Sequence, residues 1–262
     1  MPVDWMNVEN LSFNNILLLE RIQLSWFPGW VPESDLAIAL HGNPHVAWYI
    51  RHKCPEVDEW IDGNMSKVES ADSYSPSEIR QAELKVLETI NDLIVYVVDP
   101  SIYDAQPFLG WDTSELTSLV DFRSKVVLDI GSGTGRLALI AAETAHAVYA
   151  VEPVSNLRRY LREKARCLGF RNLFPVDGLI TDIPFEDGFA DVTMGGHVFG
   201  DNPQEEIKEL MRVTKTGGMV ILCPGNVDED NDAHLVLVSK GFQWSRFEEP
   251  EDGMKRKYWR KV

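Results

Sequence analysis

The stretch VVLDIGSGTGRLAL, residues 126–139, decides the fold of this chain. It begins with an apolar run that is typical of a buried β-strand, passes Asp129 and a glycine-rich turn, and continues with a helical pattern. Glycines are needed where the backbone takes a positive φ or approaches a ligand closely. The turn and the helix N-terminus also offer N–H groups to a ligand. We therefore predict a strand–turn–helix unit whose turn binds a ligand through Gly131, Gly133 and Gly135.

Predicted strands and helices alternate from this stretch toward the end of the chain. The strands are apolar on both faces, as in a covered parallel sheet, and the alternation favours a doubly wound α/β fold. We predict strands over 125–130, 147–152, 172–176, 190–194 and 219–223, with helices over 134–144, 156–168, 203–214 and 232–240. Gly217-Gly218 is taken to end the third of these helices. Two further strands, QWSRFEEP and KRKYWRKV, make a hairpin, so the predicted sheet has seven strands and an antiparallel C-terminal pair.

Residues 1–110 differ in character from residues 111–262. They hold 6 basic and 17 acidic residues, against 19 and 24 in the rest of the chain. Apolar residues recur at helical spacing after Ser75-Pro76, a pair that is typical of a helix start. We predict a mostly helical N-terminal cap or acceptor region over 1–110 and a ligand-binding domain over 111–262. Loops are expected around Pro28-Gly29, Pro44 and Asp62-Gly63.

Five tryptophans lie in the N-terminal region: Trp5, Trp26, Trp30, Trp48 and Trp60. Packing in the core is the favoured interpretation, and a cage for a cationic acceptor is the alternative. His41, His45, His52 and Cys54 are close in sequence, but their spacing fits no standard zinc pattern, so we expect no metal.

Charge and cysteine content narrow the class of protein. The formal net charge is −16, which disfavours nucleic acid as a partner because phosphates are repelled. The basic run LRRYLREKARCLG is more typical of a solvated helix face than of an RNA contact. Three separated cysteines indicate reduced thiols, and the first residues lack a signal-like or membrane-spanning apolar run. We expect a cytoplasmic protein without a membrane partner, and the sequence leaves its oligomeric state open.

Acidic residues follow the second and third predicted strands. Glu152 lies about 20 residues after the first glycine, where such folds place a carboxylate on ribose hydroxyls, and one carboxylate can accept two bonds side by side. Pro153 would flank an adenine ring. Asp177, followed by Gly178, could accept from an adenine amino group, although Asp-Gly is also an ordinary turn. We expect Glu152 to be an exposed strand-end acid that contributes little to folding.

The fourth predicted strand leads into Gly196, His197 and Asp201. Ligands bind at the carboxyl ends of strands in open α/β sheets. His197 is therefore a candidate general base or positioning group for an acceptor, with a structural histidine as the alternative, and Asp201 is a second candidate. A nicotinamide cofactor is disfavoured, because its fingerprint needs glycine or alanine where this chain has Arg136.

The ordered set of segments resembles the class I S-adenosylmethionine (SAM)-dependent methyltransferases, and is similar to their small-molecule and quinone group. The resemblance covers about residues 124–225. It rests on LDIGSGTGRLAL, Glu152, Asp177-Gly178, IPFEDGFADV and ELMRVTKTGGMVILCPG. It implies that the strand-one acid and the glycine loop hold the methionine part of SAM, that the strand-two acid holds the ribose, and that Asp177 binds adenine. The cofactor-binding set is then Asp129, Gly131, Ser132, Gly133, Gly135, Glu152, Pro153, Asp177, Gly178 and Gly196.

The resemblance implies methyl transfer from SAM to a small-molecule acceptor that the sequence does not identify. His197 and Asp201 are the catalytic candidates. Two alternatives stay open. One is an aminopropyl transferase on the same scaffold, because such enzymes need acidic pockets for a polyamine and the N-terminal region is acidic. The other is a non-enzymatic SAM-binding protein.

Overall fold

The computed structural model describes residues 5–70 and 73–262. The chain divides into two compact units, Met1–Tyr103 and Asp104–Val262. The division falls a few residues before the boundary that composition indicated. No helix in the described part of the chain is long and apolar enough to cross a bilayer.

The first unit is helical, as the apolar spacing predicted. Its helices are α1 (Arg21–Ser25), α2 (Glu33–Gly42), α3 (Pro44–Lys53), α4 (Asp58–Met65), α5 (Pro76–Thr89) and α6 (Asn91–Val98), followed by α7 (Pro100–Asp104) at the division. Short 3₁₀ turns lie at Phe13–Leu18 and Pro55–Val57. The predicted start at Ser75-Pro76 is confirmed, because Ser75 and Glu78 exchange hydrogen bonds in a capping box.

Two predicted loops of the first unit are wrong. Pro44 is the first residue of α3, a position where its missing N–H costs nothing, and Asp62-Gly63 lies inside α4. Core packing is confirmed for Trp26 and Trp60. Trp48 is exposed and stacks on His52 with ring centroids 4.7 Å apart.

The second unit is a seven-stranded sheet covered by helices. Its strands are β1 (Val126–Ile130), β2 (Ala147–Val151), β3 (Leu173–Val176), β4 (Ala190–Gly195), β5 (Thr214–Val227), β6 (Gln243–Glu249) and β7 (Gly253–Lys261). The helices are α8 (Ser114–Thr117), α9 (Arg136–Ala142), α10 (Ser155–Cys167), α11 (Pro203–Val213) and α12 (Asp232–Ser239), with a 3₁₀ turn at Pro107–Gly110. The spatial order is β3-β2-β1-β4-β5-β7-β6, and β7 runs antiparallel to both neighbours. The predicted doubly wound sheet with an antiparallel C-terminal pair is confirmed.

Alternate residues of β1 serve the two faces of the sheet. Val127 packs in the cluster that contains Ala138 of α9, and Leu128 and Ile130 pack in the cluster on the other face. Because side chains alternate along a strand, Asp129 points to the face that α9 covers.

The prediction for Gly217-Gly218 is wrong. α11 ends at Val213 and β5 begins at once with Thr214. The two glycines lie within β5, where its pairing with β4 shifts register. A Cβ on Gly218 would lie 2.8 Å from the Asp191 carbonyl oxygen, so the bulge requires glycine at that position.

Candidate functional site

The carboxyl ends of β1, β2 and β4 meet at one edge of the sheet. Ile130, the last residue of β1, pairs with Val151 of β2 and with Gly195 of β4. The residues that follow each strand are therefore brought together by the register itself. This places the glycine loop, the segment around Glu152 and the segment around His197 at the same edge.

The glycine loop needs its glycines for backbone conformation and for close packing. Gly131, Gly133 and Gly135 have φ values of 64°, 52° and 91°. A Cβ on Gly131 would lie 2.5 Å from Val198 Cγ2, and one on Gly135 would lie 2.2 Å from Leu161 Cδ1. Substitution at either position is strained in two ways, because the φ is unfavourable for L-residues and the space is filled.

The loop does not offer its N–H groups to a ligand in the way the sequence suggested. Four of these groups donate within the protein: Gly131 and Ser132 to the Val151 oxygen (2.8 and 3.1 Å), Gly133 to the Glu152 carboxylate (2.9 Å) and Gly135 to the Ser132 oxygen (2.7 Å). The reason is that the loop folds back on the end of β2. Its glycines make that fold possible rather than exposing donors.

Two hydroxyl groups of the loop are buried without a hydrogen-bond partner. They are Ser132 Oγ and Thr134 Oγ1, and both residues are more than nine-tenths buried. Buried polar groups are nearly always paired in folded proteins. Two orphan hydroxyls in one glycine-rich turn therefore indicate a polar ligand there. The sequence motif included Ser132, but Thr134 was missed.

Asp129 lies beneath the loop, with only 1% of its surface exposed. Its Oδ2 accepts the N–H of Ala138 at 2.8 Å. Gly135, the N-cap of α9, has no side chain, so Asp129 caps the first turn of that helix from the neighbouring strand. Burial raises the pKa of Asp129 to about 8; the bond from Ala138 opposes the rise and the charge of Glu152 adds to it. A ligand ammonium would favour the ionised form.

Glu152 differs from the expectation of an exposed acid, because it is 5% exposed. Its Oε2 accepts from the Gly133 N–H and its Oε1 from the Val154 N–H, both at 2.9 Å. The carboxylate thus ties the glycine loop to the end of β2. Both oxygens of a carboxylate accept hydrogen bonds, and ribose hydroxyls are donors of the matching kind. The expectation that Glu152 is exposed is wrong, and its two backbone bonds predict a contribution to folding.

Asp177 and Arg158 form an ion pair beside this carboxylate segment. Arg158 Nη1 lies 2.8 Å from Asp177 Oδ1 and donates to the Glu152 carbonyl oxygen at 2.6 Å. The Arg158 side chain is 17% exposed, whereas that of Asp177 is 75% exposed. Arg158 therefore joins the two acidic segments, whereas Arg159, Arg162 and Arg166 of the same run are exposed, as expected of a solvated helix face.

Two further predicted residues lie next to these acids in the chain: the half-buried Pro153 follows Glu152, and Gly178 follows Asp177. A Cβ on Gly178 would lie 2.6 Å from Pro184 Cδ and 2.8 Å from Val151 Cγ1. Gly178 is therefore required by packing against the end of β2, and this requirement holds with or without a ligand.

His197 follows β4 in a conformation that is uncommon for a residue with a side chain. Its φ is 55°, and its N–H donates to the Pro224 oxygen at 2.9 Å. Its Nε2 lies 2.9 Å from Glu249 Oε1, and its side chain is 37% exposed. Gly196 lies just before it, where a Cβ would be 3.2 Å from the Cys223 oxygen. The ring is thus held in place while part of it stays accessible.

Asp201 is exposed in the loop that leads to α11. The buried acid that holds this loop is Glu206 of α11, which accepts the N–H groups of Gly200 (2.8 Å) and Asn202 (2.7 Å). Burial, and in smaller part the charge of Asp201, raise the pKa of Glu206. Asn202 makes no side-chain cap for α11, and Glu206 holds the loop instead.

Known proteins match the part of the chain that forms this edge. Residues 128–222 match the family model described as "Methyltransferase domain". Residues 128–222 are therefore similar to a methyltransferase domain. Within residues 5–70 and 73–262, no group of three or more His, Cys, Asp or Glu side chains is arranged to hold a metal ion.

Three relatives illustrate the extent of the similarity. A protein-L-isoaspartate O-methyltransferase of Picosynechococcus is 38% identical over 69 residues, which are 26% of this chain and 30% of the relative. An uncharacterized methyltransferase of Anoxybacillus flavithermus is 26% identical over 64% of this chain and 76% of the relative. A solved SAM-dependent methyltransferase of Aquifex aeolicus covers 62% of this chain and 97% of its own, at 20% identity and a TM-score of 0.48. The chain thus spans less than a third of the length of the first of these relatives.

The residues at the edge fit SAM, the cofactor of such domains. Its ammonium, ribose hydroxyls and adenine amine are hydrogen-bond donors, and the carboxylates of Asp129, Glu152 and Asp177 are acceptors. The orphan hydroxyls of Ser132 and Thr134 can donate to the carboxylate of its methionine part. Donor and acceptor types therefore match the cofactor along the whole edge.

Proposed function

We propose that the protein transfers a methyl group from SAM to a small-molecule acceptor. The observation that carries the proposal is the glycine loop, where two buried hydroxyls lack partners between the carboxylates of Asp129 and Glu152. Buried polar groups are nearly always paired in folded proteins, so these two hydroxyls favour a polar ligand in the turn.

In this proposal the chain's own residues bind SAM, orient it toward the acceptor and exclude water. Ser132, Thr134 and Asp129 hold the methionine part, Glu152 holds the ribose, and Asp177 accepts from adenine beside Pro153. Bound there, SAM would supply an activated methyl group with a neutral sulfide as the leaving group. Because the leaving group is good, alignment for in-line attack is the main contribution of the protein.

His197 is the general base of the proposal, for acceptors that must lose a proton before they attack. Its ring is partly exposed at the end of β4, the edge at which ligands of open α/β sheets bind. Asp201 is the weaker candidate, because it is exposed while a different acid, Glu206, holds the loop.

The acceptor in this proposal is neutral or cationic. Residues 1–110 carry 17 acidic and 6 basic residues, so a negative field surrounds the predicted acceptor region. The isoaspartate methyltransferase named above matches only 69 residues. The acceptor of that relative is therefore not transferred to this chain.

Calorimetry with SAM, S-adenosylhomocysteine and NAD tests the cofactor. We expect micromolar binding of the first two and no comparable binding of NAD, because Arg136 occupies the position where a nicotinamide fingerprint needs glycine or alanine. Tight NAD binding without SAM binding would overturn the proposal. Turnover assays with SAM and decarboxylated SAM, each with a panel of small acceptors, separate methyl transfer from aminopropyl transfer and from binding alone.

Filter binding with RNA and duplex DNA at low salt tests the exclusion of nucleic acid. We expect weak association, because the net charge is −16 and Arg158 is engaged with Asp177. Strong, salt-sensitive retention of either nucleic acid would contradict the proposed acceptor class.

A further inference from the structure

Glu249 is a buried acid that the proposed cofactor set does not use. It is the last residue of β6, and its side chain is fully buried. Its Oε1 lies 2.9 Å from His197 Nε2. Its Oε2 has no hydrogen-bond partner, and Lys255 Nζ is 3.8 Å away, within ion-pair range but too long for a hydrogen bond. Burying a carboxylate is unfavourable unless it is well paired, so the burial of Glu249 indicates a specific role.

Both the backbone and the ring of His197 are held in place. The backbone N–H donates to Pro224, the Nε2 edge meets Glu249, and the ring makes an edge contact with Phe108 at 5.8 Å between centroids. The Lys255 ammonium is drawn away from the pair by Asp252, at 2.7 Å. The nearest partner of Glu249 is therefore the imidazole.

We infer that Glu249 is the positioning residue of His197 and that it makes Nδ1 the basic nitrogen of the ring. An ionised carboxylate only accepts hydrogen bonds. Neutral His197 must then carry its proton on Nε2, which leaves the lone pair on Nδ1. The inference rests on the proposed function for its role in turnover, whereas the tautomer follows from the pair itself.

The proton balance of this arrangement is simple. The bond between the acceptor atom and its hydrogen breaks, the proton forms a bond to Nδ1, and the acceptor keeps the electron pair that attacks the methyl group. The ring is then an imidazolium with an N–H on each nitrogen, and the Glu249 carboxylate stabilises its charge. Nδ1 later returns the proton to water.

Nitrogen-15 NMR of the histidine rings tests the tautomer without any substrate. The His197 resonances are identified by their loss in His197→Gln. In the parent protein we expect the neutral ring to be the Nε2–H form. In Glu249→Leu, which removes the acceptor but keeps an apolar side chain in the buried space, we expect a mixture of both tautomers. A parent ring protonated on Nδ1, or the same tautomer in Glu249→Leu, would overturn the inference.

Kinetics with an acceptor that needs deprotonation tests the role in turnover. General bases contribute about 10²–10⁴-fold; we expect kcat to fall about tenfold in Glu249→Gln and about 100-fold in Glu249→Leu. SAM affinity should stay within about threefold of the parent value, since Glu249 does not contact the cofactor set. Glu248→Gln, at an exposed neighbouring position of β6, is the matched control and should behave as the parent.

The outcomes separate this inference from the proposed function. If the parent binds SAM and transfers methyl groups while Glu249→Leu, with melting curves like the parent's, keeps the parental kcat, only the inference fails. If the parent does not bind SAM, the proposed function fails, and the NMR measurement still decides the Glu249–His197 pair.

Discussion

Asp129→Asn should make the ligand-free protein more stable and bind SAM about 100-fold more weakly, which corresponds to about 2.7 kcal/mol. The stability gain follows from burial. The folded-state pKa of Asp129 is about 8, against a usual value of 3.8. The folded protein therefore holds this proton more tightly than the unfolded chain, and stability is lost as pH rises between these two values. Asparagine cannot ionise, and its oxygen can still accept from Ala138.

The difference in stability between Asp129→Asn and the parent should depend on pH. Near pH 4 the two proteins should melt at similar temperatures, and the advantage of Asp129→Asn should grow as pH approaches 8. One pKa unit corresponds to 1.36 kcal/mol, and relaxation around the buried carboxylate reduces the effect. We therefore expect the free energy of unfolding of Asp129→Asn to exceed that of the parent by about 2–3 kcal/mol near pH 8. Melting curves from pH 4 to 9 and SAM calorimetry measure both effects. A stable variant that binds SAM as the parent does would make Asp129 a helix cap only.

The strands of the second unit could be predicted from the sequence because burial on both faces leaves a clear apolar pattern. β1, β2 and β4 each begin or end within a residue or two of the predicted ranges. The hairpin was predicted from two strand-like runs, and the turn between them has a positive φ at both Glu251 and Gly253. These are local signals, and they are carried by residues that are neighbours in the chain.

The start of β5 could not be predicted in the same way. Gly217-Gly218 is typical of a helix end, yet here it forms an irregular pairing with β4 and β7. Gly217 donates to the Val262 oxygen, a contact with the end of the chain that no local pattern indicates. The sequence was taken to end a helix at these glycines, whereas pairing with the neighbouring strand makes them an irregularity within β5.

The location of the site could be predicted from the sequence, but most of the hydrogen bonds within it could not. Strand register places Gly131, Glu152 and Gly196 at one edge, which the order of motifs indicated. The bond from Gly133 to Glu152 joins residues 19 apart, and the His197–Glu249 pair joins residues 52 apart. Glu249 lies in a hairpin strand without a recognisable motif, so its buried side chain was not identified as functional.

Glu152→Ala should weaken SAM binding and also lower stability. Hydrogen bonds to a charged group are worth about 1.5–3 kcal/mol each. Loss of the ribose contacts, partly recovered by water, should cost about 2–3 kcal/mol, or about 30- to 150-fold in SAM affinity. The variant also leaves the N–H groups of Gly133 and Val154 without their acceptor, so we expect a further loss of about 2–4 kcal/mol in the free energy of unfolding.

Two variants separate the contributions of Glu152. Glu152→Asp keeps the charge but shortens the reach, so it should lose less affinity than Glu152→Ala. Glu143→Ala removes an exposed acid of the same unit and should match the parent in both measurements. Calorimetry gives the SAM affinity, and melting curves without ligand give the stability. Parental SAM affinity in Glu152→Ala would remove this residue as the ribose ligand. An unchanged melting temperature would instead show that the glycine loop does not depend on the carboxylate that it encloses.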